Sequence, residues 1–243
     1  MKTYLSWSGG KDSSASIIVC HEQGIHIDGI ITAEVMFSHD LNISAEHPEH
    51  TRWLHEIAIP KIETEFGYPV TVLKSQDDYV SLFNKRVYRT KVPVRYGKKR
   101  GFVLGGNACY LKRDCKIAVL EKWSREQGDF ENIVGIAADE VDRLEYMNSH
   151  FPNRRSVLAE FNIVEADTYE LCRKYDLLSP FYDSGRKRQG CWFCPNCKLE
   201  EMADIKHNYP ELWEQLRILD SDPEKISECF KYKKTFSEID AMI

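Results

Sequence analysis

The stretch Leu5-Ser6-Trp7-Ser8-Gly9-Gly10-Lys11-Asp12-Ser13-Ser14 constrains this chain more than any other, because a short apolar run stops at two glycines and an amphipathic helix follows. Glycines let a backbone approach an anion closely, and the first N–H groups of a helix starting near Asp12 or Ser13 point at it. Lys11 adds a positive charge and the hydroxyls of Ser8, Ser13 and Ser14 add donors, so a phosphate, sulfate or pyrophosphate is the natural occupant. The stretch is not a Walker A loop, whose first glycine and final Ser or Thr would fall at Leu5 and Asp12.

Around this stretch, strand and helix patterns alternate. Lys2 to Trp7 reads as a first strand and Ser13 to Gln23 as a helix that buries Ile17, Ile18 and Cys20 and stops at Gly24. Ile27 to Val35 reads as a second strand and Val70 to Leu73 as a third. Between them, His47 to Phe66 carries Trp53, Leu54, Ile57, Ala58 and Ile62 near helical spacing, with Pro60 as a kink or break and Gly67 as terminator. A short helix is expected over Asp77 to Val87, a longer one over Leu111 to Gln127, a fourth strand over Asn132 to Ala137, a further strand over Val157 to Ala159 and a helix over Glu165 to Tyr175. Such alternation implies right-handed crossovers, hence an α/β fold with a doubly wound, mostly parallel sheet over 1–180. Residues 181–243 form the second part, Cys-rich and helical. There Asp183 to Gln189 is polar, and short helices are expected around Leu212, Trp213, Leu216, Ile226 and Phe230.

The 243 residues, 42% of them hydrophobic, suffice for a real core. No apolar run approaches a membrane span and the first residues carry no signal peptide, so the expectation is a cytoplasmic protein with no membrane partner. A net charge of −5 argues against a generally basic nucleic-acid binder but leaves local patches open. One such patch runs from Lys85 to Arg100, with eight basic residues, no acidic ones, and Tyr88 and Tyr96 interleaved. It reads as a mobile loop that is either solvated surface, a cover for an anionic second substrate, or a seat for single-stranded RNA.

Eight cysteines in an intracellular setting point to metal ligands or redox thiols rather than disulfides. Gly190-Cys191-Trp192-Phe193-Cys194-Pro195-Asn196-Cys197 overlaps two Cys-x-x-Cys units, which puts Cys191, Cys194 and Cys197 within reach of one iron–sulfur cluster or zinc ion. Cys194-Pro195-Asn196-Cys197 is also open to reading as a redox dithiol. Cys20 and Cys172 fall on apolar helix faces and are expected in the core. His39, His47, His50 and His55 lack a completing cysteine or carboxylate pattern and read as surface residues.

Ser8 to Ser14 resembles the SGGxDS loop of the N-type ATP pyrophosphatases, the PP-loop superfamily that includes the phosphoadenosine phosphosulfate reductases. Gly135-Ile136-Ala137-Ala138-Asp139-Glu140-Val141-Asp142-Arg143 resembles a second stretch of the reductase family. Asp139, Glu140 and Arg143 match, and Ala137 replaces an arginine. His47-Pro48-Glu49, Leu171 to Tyr175 leading to Pro180, and the Gly190 to Pro195 block extend the likeness. The resemblance implies an adenine nucleotide alpha-hydrolase-like fold that binds ATP or a related adenine nucleotide, with Mg²⁺. Its nucleotide contacts would be Ser8, Gly9, Gly10, Lys11, Asp12, Ser13, Ser14, Ala33 and Gly135, and its catalytic groups Lys11, Asp12, Glu140 and Arg143. It also supplies the fourth metal ligand, Cys115 with Cys109 in reserve, which follow the basic loop where the family places its upstream cysteines.

Three functions stay open. An ATP pyrophosphatase would let a substrate oxygen attack the α-phosphorus and release pyrophosphate into the loop. A sulfonucleotide reductase would use Cys229 as nucleophile and draw electrons from thioredoxin, but the Glu228-Cys229-Phe230 tail lacks the glycine and histidine of the family's nucleophile motif, and Cys229 reads as a helix residue. A binding module would have no use for Asp12 and Glu140 beside phosphate unless a metal intervened, so these carboxylates favour an enzyme that cleaves ATP.

Overall fold

β1 (Lys2–Ser6) lies at the centre of a five-stranded sheet of order β5-β2-β1-β6-β7 in a computed structural model that describes residues 1–103, 109–182 and 190–243. Its neighbours are β2 (Gly29–Glu34) and β6 (Phe130–Val134), both parallel to it. β5 (Val70–Lys74) and β7 (Arg154–Arg155) form the edges, and β7 is parallel to β6. Elsewhere β3 (Met36–Ser38) pairs antiparallel with β4 (Ile43–Ser44), and β8 (Cys229–Lys231) with β9 (Lys234–Thr235). The helices are α1 (Lys11–Glu22), α2 (48–66), α3 (Tyr79–Asn84), α4 (112–127), α5 (Val141–His150), α6 (Val157–Glu160), α7 (Glu165–Lys174), α8 (Leu199–Asn208), α9 (Pro210–Asp220) and α10 (Phe236–Met242). The fold is α/β, with a mostly parallel central sheet and a Cys-rich C-terminal region.

The chain divides into two compact units that interleave in sequence. The first comprises Met1–Ala33, Pro48–Leu73 and Leu120–Gln189, and the second Glu34–His47, Lys74–Val119 and Gly190–Ile243. In the first, β1 alternates faces as a strand must. Leu5 joins Ile17, Ile18, Ile30, Trp53, Leu54, Ile62, Ile133 and Leu158 in the larger core, whereas Tyr4 packs with Ile31, Phe130, Leu120 and Trp123 on the other face. Helices therefore cover both faces. Because β1 connects onward to β2 on one side and has β6 on the other, strand order reverses beside it, and a parallel sheet opens its ligand crevice beyond the carboxyl ends at that point.

The second unit is built on aromatics. Phe37, Tyr79, Phe83, Phe102, Trp192, Phe193, Trp213, Phe230 and Phe236 share one core. Asp240 on α10 accepts from Trp213 Nε1 at 2.7 Å and meets Arg217 at 3.0 Å, which pins α10 to α9.

Several sequence expectations need correction. Val157 to Ala159 is helical rather than extended, because the Ser156 hydroxyl accepts from Ala159 N–H and caps α6; the fifth strand is the adjoining Arg154–Arg155. Pro60 does not break α2. Wide turns over Leu54–Ala58 and Ile62–Phe66 flank it and absorb its missing N–H, and they leave Ile57 exposed. The segment holding Cys229 is a strand of a hairpin, not a helix. The run from Lys85 to Arg100, expected as a mobile loop, closes as an antiparallel hairpin at Arg86 and Lys99. The polar stretch 183–189 lies outside the described residues. Among the described residues, no helix is long and apolar enough to cross a membrane.

Candidate functional site

Where β1 ends, Trp7 N–H donates to Ile31 O at 2.8 Å and its indole Nε1–H to Ser14 Oγ at 3.0 Å, so one residue ties the strand end to both β2 and the first turn of α1. Between them Gly9 takes φ +74°, and a Cβ there would stand 2.7 Å from His50 Cε1. Gly10 is the N-cap of α1, with extended backbone and no side-chain cap. The serines spend their hydroxyls on the loop itself. Ser13 Oγ donates to Gly10 O at 2.9 Å and accepts from Ser8 N–H at 3.2 Å, and Gly10 N–H donates to Ser8 Oγ at 3.3 Å.

Gly135 follows β6 and closes the cradle from the other side. A Cβ on it would lie 2.5 Å from Ser13 N and 2.7 Å from Asp12 C, a separation that only glycine tolerates. Ala33 is buried near the end of β2, whose Ile31 is in register with Ser6. The carboxyl ends of β1, β2 and β6 thus meet around the start of α1.

Lys11 is 5% exposed, and its Nζ lies 2.6 Å from Asp12 Oδ1 and 3.0 Å from Glu165 Oε1. Burial opposes the ammonium, but hydrogen bonds and charges from Asp12 and Glu165 outweigh it and hold Lys11 above the ordinary lysine range. Glu165, Thr168, Tyr169 and Cys172 fall at i, i+3, i+4 and i+7 on α7, one helix face. That face serves the loop throughout: Thr168 Oγ1 donates to Asp12 Oδ1 at 3.1 Å, the Tyr169 ring lies 5.2 Å from Lys11 Nζ, and Cys172 Sγ donates to Lys11 O at 3.2 Å. The buried Cys172 and Cys20 thiols are both pushed up to about 12, chiefly by desolvation.

The stretch after Gly135 folds on itself. Glu140 accepts from Ala137 N–H at 3.1 Å and pairs with Arg143, while Asp139 Oδ1 accepts from Glu165 N–H at 2.9 Å and so caps α7. Ala137 is fully buried. A cleft of about 410 Å³ opens here, lined by Gly135, Ile136, Arg143, Met147 and Phe151 among others.

His50 and His47 are buried, contrary to the expectation of surface histidines; His50 is 1% exposed and its Nδ1 is 2.9 Å from Ser179 Oγ. Tyr182 Oη accepts from Lys11 N–H at 3.2 Å. Sequence reasoning missed Glu165, Thr168, Tyr169, His50 and Tyr182. The spacing along α7 was a usable signal for three of them, whereas the others reach the loop only through the fold.

In the second unit, Cys191, Cys194 and Cys197 follow two successive turns, with Cys194 N–H donating to Cys191 O at 3.0 Å and Cys197 N–H to Cys194 O at 2.9 Å. The segment is fastened at both ends. Trp192 N–H donates to Ala45 O at 3.0 Å, and Lys231 Nζ donates to the carbonyls of Pro195 and Cys197 at 2.6 Å each. Burial pushes the Cys191 thiol up, with charge repulsion from Cys194 and Cys109 adding to it; a hydrogen bond with Cys194, then burial, pushes up Cys197. Cys115 faces a different set of groups. Its Sγ donates to Asp77 O at 3.2 Å, and burial raises it to about 11. Cys109 is half-buried and packs against the same core as Cys191 and Cys197. Among the described residues, no three His, Cys, Asp or Glu side chains are gathered into a ready ion site.

No protein-family model matches the chain. Among curated proteins, the uncharacterized protein MJ0066 of Methanocaldococcus jannaschii is 23% identical over 220 residues, which are 87% of this chain and 40% of that protein. The chain therefore spans about 40% of the length of the curated relative it matches. Among solved structures, the chain is similar to the U34-tRNA thiolase NcsA from Methanococcus maripaludis with its 4Fe–4S cluster, at 15% identity and a TM-score of 0.43, over 94% of this chain and 75% of that one.

Proposed function

We propose that the first unit is a PP-loop nucleotide enzyme that binds ATP with its pyrophosphate portion in the Ser8 to Ser14 cradle and cleaves between the α- and β-phosphorus. A substrate oxygen forms a bond to the α-phosphorus as the α,β-bridging bond breaks, and pyrophosphate leaves with the bonding pair. The observation that supports this most is the contact of Gly135 with Ser13, which joins the end of β6 to the first turn of α1 at the point where strand order reverses. Lys11 has three donors and spends two on Asp12 and Glu165, so one remains for the departing pyrophosphate. Arg143 is the second cation for that charge and Glu140 holds it in place. Among the described residues, both side-chain contacts of Asp12 fall on Oδ1, and Oδ2 would hold Mg²⁺, the ion that would neutralise charge on the phosphates. Ala33 and Gly135 present backbone to the nucleoside side.

Sulfonucleotide reduction with thioredoxin as electron source is the competing reading. It requires a mobile, activated thiol, and Cys229 is held in β8 with Ser227 Oγ bonded to both its N–H, at 3.2 Å, and its carbonyl, at 3.1 Å. Nucleotide products after incubation with ATP, and separately with sulfonucleotides, decide between the two.

We also propose a thiolate-bound centre in the second unit. Four sulfurs fit a soft, thiophilic group, an iron–sulfur cluster or zinc, and Cys191, Cys194, Cys197 and Cys109 are the residues that would hold it, Cys109 rather than Cys115 because the Cys115 thiol is bonded to Asp77 O. Such a centre would supply structural cross-linking or electron and sulfur chemistry. Lys231 and Trp192 fix the loop that carries three of the ligands.

A further inference from the structure

The hairpin between Lys85 and Arg100 belongs wholly to the second unit. Its base is rigid. Arg86 and Lys99 bridge antiparallel, Val87 N–H donates to Lys98 O at 2.9 Å, and Lys99 continues the ladder by bridging Lys225. Arg86 meets both oxygens of Glu224 at 2.8 and 2.9 Å, Lys99 pairs with Asp222 and Arg100 with Asp114. Those three cations build the protein. The other end differs in kind: Arg89, Lys91, Arg95 and Lys98 are exposed, and among the described residues no acidic side chain pairs with them. Between them Tyr88 and Tyr96, 59% and 64% exposed, form an edge-to-face pair with centroids 5.5 Å apart.

A solvated surface gains nothing from holding two tyrosine rings in water on a short, braced hairpin. Four unneutralised cations around them attract a polyanion, and rings with open π-faces suit bases that have no pairing partner. We propose that this hairpin tip binds single-stranded nucleic acid, with one or two bases stacked on Tyr88 and Tyr96 and the flanking phosphates met by Arg89, Lys91, Arg95 and Lys98. Duplexes fit poorly, because their bases offer no free face to a tyrosine. The inference stands independently of ATP cleavage.

The test is a fluorescence-anisotropy titration of the full chain with labelled single-stranded RNA and DNA oligomers, a duplex of the same sequence, heparin and poly-glutamate, at several salt concentrations. Single strands are expected to bind more tightly than duplex, with log K falling against log salt at a slope of about −3 for four phosphate contacts. Tyr88→Ala/Tyr96→Ala is expected to weaken the single strand roughly tenfold or more while leaving heparin unchanged. Replacing Arg89, Lys91, Arg95 and Lys98 together by glutamine is expected to flatten the salt slope. RNA binding tighter than DNA would assign the ribose hydroxyl a role and support the proposal. Equal affinity for heparin with no effect of the tyrosine change would overturn it in favour of a plain polyanion surface. Tighter binding of poly-glutamate would make the partner an acidic protein, and absence of single-strand binding at low salt would overturn it outright. ATP titration of the same samples reports separately on the first unit, so failure of either reading is visible without the other.

Discussion

Gly135 and Ser13 approach so closely that a single added carbon on the glycine would lie 2.5 Å from the serine nitrogen, which joins the end of β6 to the first turn of α1. Gly135→Ala must therefore push α1 away from β6. We expect a stability loss of about 1–3 kcal/mol, the usual cost of overpacking. ATP affinity is expected to fall at least tenfold, and calorimetric titration with thermal unfolding measures both. A Gly135→Ala protein with native affinity would separate the second stretch from the nucleotide site.

Lys11→Ala is expected to weaken ATP binding by about 1–3 kcal/mol, as loss of a charged hydrogen bond does. The pH dependence has a definite sign. A lysine whose folded pKa is raised contributes fully below its unfolded value of about 10.4 and loses that contribution only as pH climbs through the folded value. ATP affinity of the native chain is thus expected to show no lysine-dependent decline between about pH 7 and 9. A decline in that window that disappears in Lys11→Ala would contradict the assignment.

How far this site could be read in advance depended on the range of each interaction. The Gly9-Gly10-Lys11 turn was legible because its chemistry is local, and so was the parallel sheet, since strands and helices alternate with clear periods. The short run Val157 to Ala159 was not, because so few apolar residues satisfy either period, and the deciding group was the Ser156 cap beside it. Glu165 and Thr168 lie far along the chain from Lys11 and Asp12, yet their spacing with Tyr169 and Cys172 already marked one helix face. His50 gave no such signal. Its place beneath Gly9 follows from the passage of α2 under the loop, which only tertiary packing fixes.

In the thiol-rich segment, Cys109→Ser and Cys191→Ser are expected to lower bound iron or zinc, whereas Cys115→Ser keeps the native content. Metal analysis and visible absorption of anaerobically prepared protein distinguish the three variants. Loss of metal in Cys115→Ser with retention in Cys109→Ser would reverse the ligand choice.

Asp240 provides an acid-sensitive fastening in the second unit. The Arg217 guanidinium holds its carboxyl well below the usual carboxylate range against the opposing effect of burial, helped by Trp213 and Lys206. A depressed carboxyl contributes fully above its unfolded value of about 3.9 and loses its contribution as pH falls through the folded value. Asp240→Asn is expected to destabilise by about 1.5–3 kcal/mol at neutral pH, with the gap to the native chain closing below about pH 4. A gap that persists undiminished at acid pH would show that packing, not charge, is what the substitution removes.

Cleavage of ATP at the α,β position is tested most directly by separating the products formed from ATP labelled at the α-phosphorus, with Mg²⁺ present, for the native chain, Asp12→Asn and Cys229→Ser. Pyrophosphate and an equal amount of labelled AMP, free where water is the attacking oxygen or joined to the substrate that supplies it, are expected from the native chain, none from Asp12→Asn, and an unchanged yield from Cys229→Ser. Labelled ADP, or intact ATP alongside thioredoxin-dependent sulfite release from a sulfonucleotide that Cys229→Ser abolishes, would contradict it.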